Sequence, residues 1–238
     1  MIWGRTWIGC SGLALMLACS AEPKSAVERG RELFESSTAL STSRLNTYAC
    51  STCHDERAGS GLRKPGAPLA GATLRPSFWG GQENDLLRSI NACRTYFMLT
   101  NVPLQSGDAD AEALFAYLES LEPGDPNPVA FDVVTEVEPL ARGDANLGAG
   151  VYASACSNCH GAPHSGTGRL SERVSILPED TFREHAEYSL RVQRLIFIEK
   201  IRHGRFLGYG GEMPPFSTQL LTDADVSNVL EYLSVFGE

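Results

Sequence analysis

Apolar side chains recur at spacings of three and four along six stretches of this chain, the period of a helix that buries one face. The clearest lie in the second half. Residues 144–155 carry Leu147, Val151, Tyr152 and Ala155 on one side. Residues 189–204 carry Leu190, Val192, Leu195, Ile196, Ile198 and Ile201, and Gly204 ends the run. Thr222 opens a third helix with Asp225 three residues on, a capping-box pattern, followed by Val226, Val229, Leu230, Leu233 and then Val235 or Phe236. The first half predicts the same order, with helices over 26–36, 85–94 and 108–121. Its last helix ends in Phe115-Ala116-Tyr117-Leu118-Glu119-Ser120-Leu121, against Leu230-Glu231-Tyr232-Leu233-Ser234 in the second half, so the halves read as copies of one unit. Between them, Glu122-Pro123-Gly124-Asp125-Pro126-Asn127-Pro128 is a turn-rich linker. Residues 131–137 alternate apolar and polar in part and predict a short extended segment packing across the junction.

Each half contains one motif that the helical pattern alone does not explain. Cys50-Ser51-Thr52-Cys53-His54 and Cys156-Ser157-Asn158-Cys159-His160 both read C-x-x-C-H, the attachment signature of covalent c-type haem. Two thiols three residues apart each form a thioether to one vinyl group of the porphyrin, and the next residue, His, stands under the iron. Two copies predict two covalently bound c-type haems, with His54 and His160 as proximal ligands. Zinc is a poor alternative: it takes four ligands from paired motifs close in sequence, whereas these pairs lie 106 residues apart. Each half is small for a self-sufficient apolar core, and a buried porphyrin would supply the missing apolar area. One asymmetry stands out. Gly148 precedes Cys156 by eight residues, but Gly30 precedes Cys50 by 20, so residues 36–48, rich in Ser and Thr, predict a loop beside the first haem.

The order helix, C-x-x-C-H, loop, helix, Met loop and C-terminal helix with an aromatic-Leu pair resembles the class I cytochrome c family. The resemblance implies an all-α fold of two tandem cytochrome c domains, over 26–121 and 143–238, joined by a linker over 122–142. In the second half, Gly211-Glu212-Met213-Pro214-Pro215-Phe216-Ser217 is similar to the family's Met-Pro loop, which implies Met213 as the distal ligand opposite His160. A thioether ligand raises the potential. His203 is a rival ligand, read instead as a surface or propionate-contacting residue. In the first half, Val102 and Pro103 align with Met213 and Pro214, and valine cannot ligate iron. The candidates there are Cys93 and Met98, within Ile90-Asn91-Ala92-Cys93-Arg94-Thr95-Tyr96-Phe97-Met98. That stretch is similar to dihaem thiosulfate dehydrogenases. The similarity implies Cys93 as a thiolate ligand of a low-potential first haem, with Arg94 beside it to hold an anion. The alternative keeps Met98 as ligand and Cys93 as a small buried residue. Gly66-Ala67-Pro68-Leu69 resembles the family loop whose Pro carbonyl accepts the proximal imidazole N–H, which assigns Pro68 to His54, with Pro178 doing the same for His160. Phe78, Trp79, Tyr96, Phe97, Phe206, Tyr209 and Phe216 read as pocket or core aromatics, and His164 and His185 as surface histidines.

Net charge is −9, with 20 basic and 29 acidic side chains, which argues against nucleic acid as a partner. Residues 1–18 hold one charge, Arg5, and then an apolar run too short to span a bilayer, the form of a secretory signal peptide. Met16-Leu17-Ala18-Cys19 resembles a bacterial lipobox, so Cys19 is expected to carry lipid, with 19–25 as a tether, in a periplasmic, membrane-anchored protein. Export agrees with haem attachment, which in bacteria takes place outside the cytoplasm. Of the seven cysteines, Cys10 leaves with the signal, Cys19 carries lipid, four hold haem, and Cys93 is left without a disulfide partner. The expected function is transfer of single electrons between redox partner proteins. The competing expectation is an oxidoreductase acting on a small sulfur anion such as thiosulfate at the first haem, with Cys93 and Arg94 as its site residues.

Overall fold

The computed structural model describes residues 23–40, 47–206 and 211–236. The expected signal peptide, Cys10, Cys19, most of the tether, residues 41–46 of the Ser/Thr-rich loop and Tyr209 lie outside them. Among the described residues all regular structure is helical, apart from one isolated antiparallel bridge between Phe78 and Glu83.

Helix α1 (Ala26–Glu35) starts where Ser25 accepts the Glu28 backbone N–H while the Glu28 carboxylate accepts the Ser25 N–H, a reciprocal cap that satisfies two otherwise orphaned donors. It buries Gly30, Leu33 and Phe34 against α4 (Ala109–Ser120). Gly30 is required at that crossing: a Cβ there would stand 2.0 Å from the Ala113 carbonyl oxygen and 2.5 Å from the Tyr117 Cβ. The second half repeats the contact. Gly148 of α5 (Ala145–Ala155) faces α9 (Asp223–Tyr232), where a Cβ would lie 2.0 Å from the Asn228 carbonyl oxygen and 2.8 Å from the Tyr232 Cβ. Gly30 therefore corresponds to Gly148 and Tyr117 to Tyr232, the relation that the repeated aromatic-Leu segment implied.

Short helices α2 (Cys50–Cys53) and α6 (Ser157–His160) carry the two Cys-His motifs. The middle helices are α3 (Leu86–Tyr96), capped by Asp85, and α8 (Leu190–His203), capped by Ser189. Helix α3 runs two residues past the expected end. Helix α7 (Glu179–Glu184) was not anticipated, being too short to display a period. Residues 131–137 form no strand, but they do bridge the halves. Phe131 packs edge-on to Trp79 of the first half, while Val137 and Leu140 pack on the core of the second.

The apolar faces are mostly those expected, with corrections at helix edges. Leu147 is 62% exposed and Leu190 59%, because α5 turns Gly148, Val151 and Tyr152 inward and α8 buries Ile196, Phe197 and Ile198. The second-half core gathers Val151, Tyr152, Phe197, Phe216, Val226 and Leu230. The first-half core is split, with Leu33, Phe97, Met98 and Leu114 in one cluster and Phe34, Tyr117 and Leu121 in another. The linker is tied down at its start: Glu122 accepts from the Gly71 N–H at 3.1 Å and from Thr73 Oγ1 at 3.1 Å, and Arg75 donates to the Asp125 carbonyl at 3.1 Å.

Candidate haem sites

At the first motif, α2 places Cys50 and Cys53 one helical turn apart, and the chain turns extended at His54. The His54 Nδ1 lies 2.8 Å from the Ala67 carbonyl oxygen. A carbonyl only accepts, so Nδ1 carries the proton and Nε2 keeps its lone pair for a metal. The orienting carbonyl is thus Ala67, not the expected Pro68, whose own carbonyl accepts from Arg75 at 2.8 Å. Gly66 makes room for the ring: a Cβ there would sit 2.3 Å from His54 Cε1 and 2.4 Å from Nδ1. Burial holds the His54 pKa below its ordinary value, which favours the neutral, ligating form.

These residues line a cavity of about 490 Å³, within the usual range for cofactor pockets. Cys50, Cys53 and His54 share it with Cys93, Arg94, Phe97 and Met98. The donor set suits c-type haem: two thiols for thioethers, one oriented imidazole, and sulfur side chains for the other face. Both sixth-ligand candidates, Cys93 and Met98, reach this cavity, and Met98 is only 4% exposed. Burial pushes the Cys93 thiol up to about 12, so without a metal it is protonated at neutral pH. Arg94 is less available to an anion than expected. Its guanidinium is buried, donating to the Leu40 carbonyl at 2.8 Å and to Asn91 Oδ1 at 3.1 Å, and only Nε lacks a partner. The expected loop after α1 therefore turns inward in its described parts: Leu40 is pinned by Arg94, and Tyr48 is buried on the cavity wall. Phe78, Trp79 and Phe97 line the cavity as expected, Phe216 sits in the second core, and Tyr96 is 46% exposed.

The cavity is not built by the first half alone. Val129, Ala130 and Phe131 of the linker and Pro214, Pro215, Ser217, Gln219 and Leu220 of the second half complete its wall. The expected junction segment signals only the Phe131 part of this wall; nothing in the sequence pattern signals the contribution of residues 214–220, which lie far from Cys50 in the chain.

At the second motif, Tyr152 donates from its hydroxyl to the Gly161 carbonyl at 2.9 Å, bracing the turn after His160. His160 Nδ1 lies 2.9 Å from the Ser175 carbonyl, not from the expected Pro178, and burial lowers its pKa too. Met213 is partly buried against the second core, and its carbonyl accepts the Arg205 N–H at 3.0 Å. Gly204, at φ +50°, ends α8 against this loop: a Cβ would stand 2.4 Å from the Met213 carbonyl oxygen. His203 is not a surface residue. It is 6% exposed, with Nδ1 3.2 Å from Glu199 and Nε2 unpartnered. His164 does lie at the surface beside Glu179, whereas His185 is partly buried near Tyr188.

The two halves touch close to the motifs. The Arg63 N–H donates to the Ser154 carbonyl at 2.9 Å, two residues before Cys156, and the Arg63 side chain pairs with Asp225 at 2.9 Å. Leu170, whose N–H donates to the Cys159 carbonyl at 2.9 Å, packs on the first-half core.

Among the described residues, no cluster of three or more His, Cys, Asp or Glu is arranged to hold a bare metal ion, and no helix is long and apolar enough to cross a membrane. Residues 143–233 match the family described as cytochrome c oxidase, cbb3-type, subunit III. The matched segment is similar to that cytochrome c family and contains Cys156-Ser157-Asn158-Cys159-His160, the C-x-x-C-H pattern of covalent c-type haem. No curated protein matches the chain. Among solved structures, it is similar to a thiosulfate dehydrogenase (TsdBA) from Marichromatium purpuratum in its as-isolated form, at 18% sequence identity and a TM-score of 0.42. The similarity covers 89% of this chain and 46% of that one, so this chain spans less than half of that protein's length.

Proposed function

We propose that the chain is an exported dihaem c-type cytochrome that passes single electrons between redox partner proteins. The observation that supports this reading is the contact between the two halves close to the attachment motifs, made by Arg63, nine residues after His54, with Ser154, two residues before Cys156, and with Asp225 of α9. Cys50, Cys53 and His54 would hold the first haem, and Cys156, Cys159, His160 and Met213 the second. When bound, such groups supply one-electron chemistry between ferrous and ferric iron. The chain's cysteines would attach the porphyrins, and the Ala67 and Ser175 carbonyls hold each imidazole in its ligating tautomer. Lipid on Cys19 would keep the protein at a membrane surface. Cys93 is assigned as sixth ligand of the first haem, with Met98 as the alternative.

A second reading has one observation in its favour: a free thiol, Cys93, lines the first cavity with the attachment residues. Under it, the first site would oxidise a small sulfur anion such as thiosulfate. Two of the five guanidinium N–H groups of Arg94 are already committed to Asn91 and Leu40, and its Nε has no partner.

Low-temperature EPR of the oxidised holo-protein, with and without Cys93→Ala, tests the ligand assignment. A low-spin ferric thiolate signal that vanishes in the variant supports Cys93 and makes thiosulfate turnover the next assay. Signals of His/Met haem alone, unchanged by the substitution, remove the thiolate and leave a carrier with Met98 as ligand.

A further inference from the structure

The turn that presents Met213 is also part of another site. Met213 itself packs on the second-half core and does not line the first cavity, whereas the next two residues, Pro214 and Pro215, do line it. One rigid dipeptide thus has the proposed ligand of the second haem on one side and the first haem's cavity on the other. Its position is held within the second half and, further along, from the linker. The Arg205 N–H grips the Met213 carbonyl at 3.0 Å, and the Phe216 N–H donates to the Ile201 carbonyl at 2.8 Å. Gly204 fits against Met213, Pro214 and Pro215 so closely that a Cβ there would lie 2.4–2.7 Å from their backbone atoms. Further along, Gln219 hydrogen-bonds Asp132, tying this segment to the linker beside Phe131. Phe206, three residues beyond the α8 terminus, packs edge-on to Trp79 and Phe97 on the first cavity's wall, with ring centroids 5.6 Å apart in both cases.

We propose that Pro214–Pro215 is a shared positioning element, setting the Met213 thioether for the second haem while closing the cavity of the first, so that neither site is independent of the other. The inference rests on the two-haem reading and adds to it a mechanical link through named residues. Proline fixes φ and removes backbone freedom, so the dipeptide transmits displacement rather than absorbing it. Behind it, Gly204 leaves no room between its own backbone and that of residues 213–215, so a shift on the cavity side is passed to the preceding residue.

The test uses the full-length holo-protein and Pro215→Gly. Intact mass is measured first: fewer than two haems on the wild-type chain would refute the two-haem reading itself, separately from this proposal. Two spectroscopic readouts follow on the ferric variant. The near-infrared charge-transfer band of His/Met haem reports the second site, and the rate of cyanide binding at the non-Met haem reports the first. The proposal expects both to change together: a weakened Met band and severalfold faster cyanide binding. A change at one haem only, or at neither, overturns it. Should Pro215→Gly fail to hold two haems, Pro215→Ala is read by the same criteria. Trp79→Leu, which perturbs the first cavity from the other half, must likewise weaken the Met band, and an unchanged band there also overturns the proposal.

Discussion

Gly66 and His54 show how far a single residue decides the chemistry of the first site. The imidazole lies so close to Gly66 that any side chain there must displace it. Gly66→Ala is therefore expected to retain covalent haem, since the thioethers depend only on Cys50 and Cys53, but to lose the low-spin spectrum of a six-coordinate centre. Absorption spectroscopy of the purified variant checks this, and an unchanged low-spin spectrum would contradict it. At the second site, replacing Met213 by Leu removes a thioether that favours ferrous iron, so the potential of that haem should fall, as measured by voltammetry. The proposed attachment residues and proximal histidines can be named from sequence alone because C-x-x-C-H is a local pattern in which chemistry dictates spacing. The orienting carbonyls cannot. Ala67 rather than Pro68, and Ser175 rather than Pro178, face the rings because of the path the backbone takes, which composition does not encode. Of the two readings of His203, the surface one fails for a related reason: its position at a helix end suggests exposure, but the loop that returns past Gly204 folds over that end.

Between elements, the decisive contacts are the two glycine crossings, α1 with α4 and α5 with α9. Gly148→Ala forces a methyl into the Asn228 carbonyl, and overpacking of this kind costs about 1–3 kcal/mol. A lowered denaturation midpoint with an unchanged m-value is the expected result. The clamp between the halves is sensitive to pH. Burial works to raise the Asp225 pKa, but hydrogen bonds from Arg63 and Thr222 outweigh it and hold the carboxyl below its ordinary value of 3.8. A carboxylate whose folded pKa is depressed stabilises the fold above the unfolded value and loses that contribution as pH falls through the folded one. Asp225→Asn should therefore cost about 1 kcal/mol at neutral pH, through the lost charge pairing with Arg63, since the amide oxygen can still accept from Thr222, and flatten the loss of stability below pH ~4. Urea titrations at pH 7 and pH 3 measure both, and an equal penalty at the two pH values would contradict the assignment. Helical period located every long helix but not the edge of each buried face. Leu147 sits one position from Gly148, and a period of 3.6 residues leaves such a flank undecided until the partner helix is known. Helix α7 is six residues long and offers no period to read.

For the whole molecule, the duplication visible in sequence is realised as two helical units in contact, with the first haem's cavity finished by the linker and the second half. The second-half part of that wall escapes sequence reasoning because residues 214–220 lie far from Cys50, and only the folded chain brings them together. The central claim is that this chain carries two covalent haems which exchange electrons one at a time. Coulometric reduction of the purified holo-protein, followed by visible absorbance, tests it most directly. The account predicts two electrons taken up per chain in one-electron steps, with the Met213-ligated centre reduced at the higher potential. Uptake of a single electron per chain, or of none with a c-type haem spectrum, would contradict it.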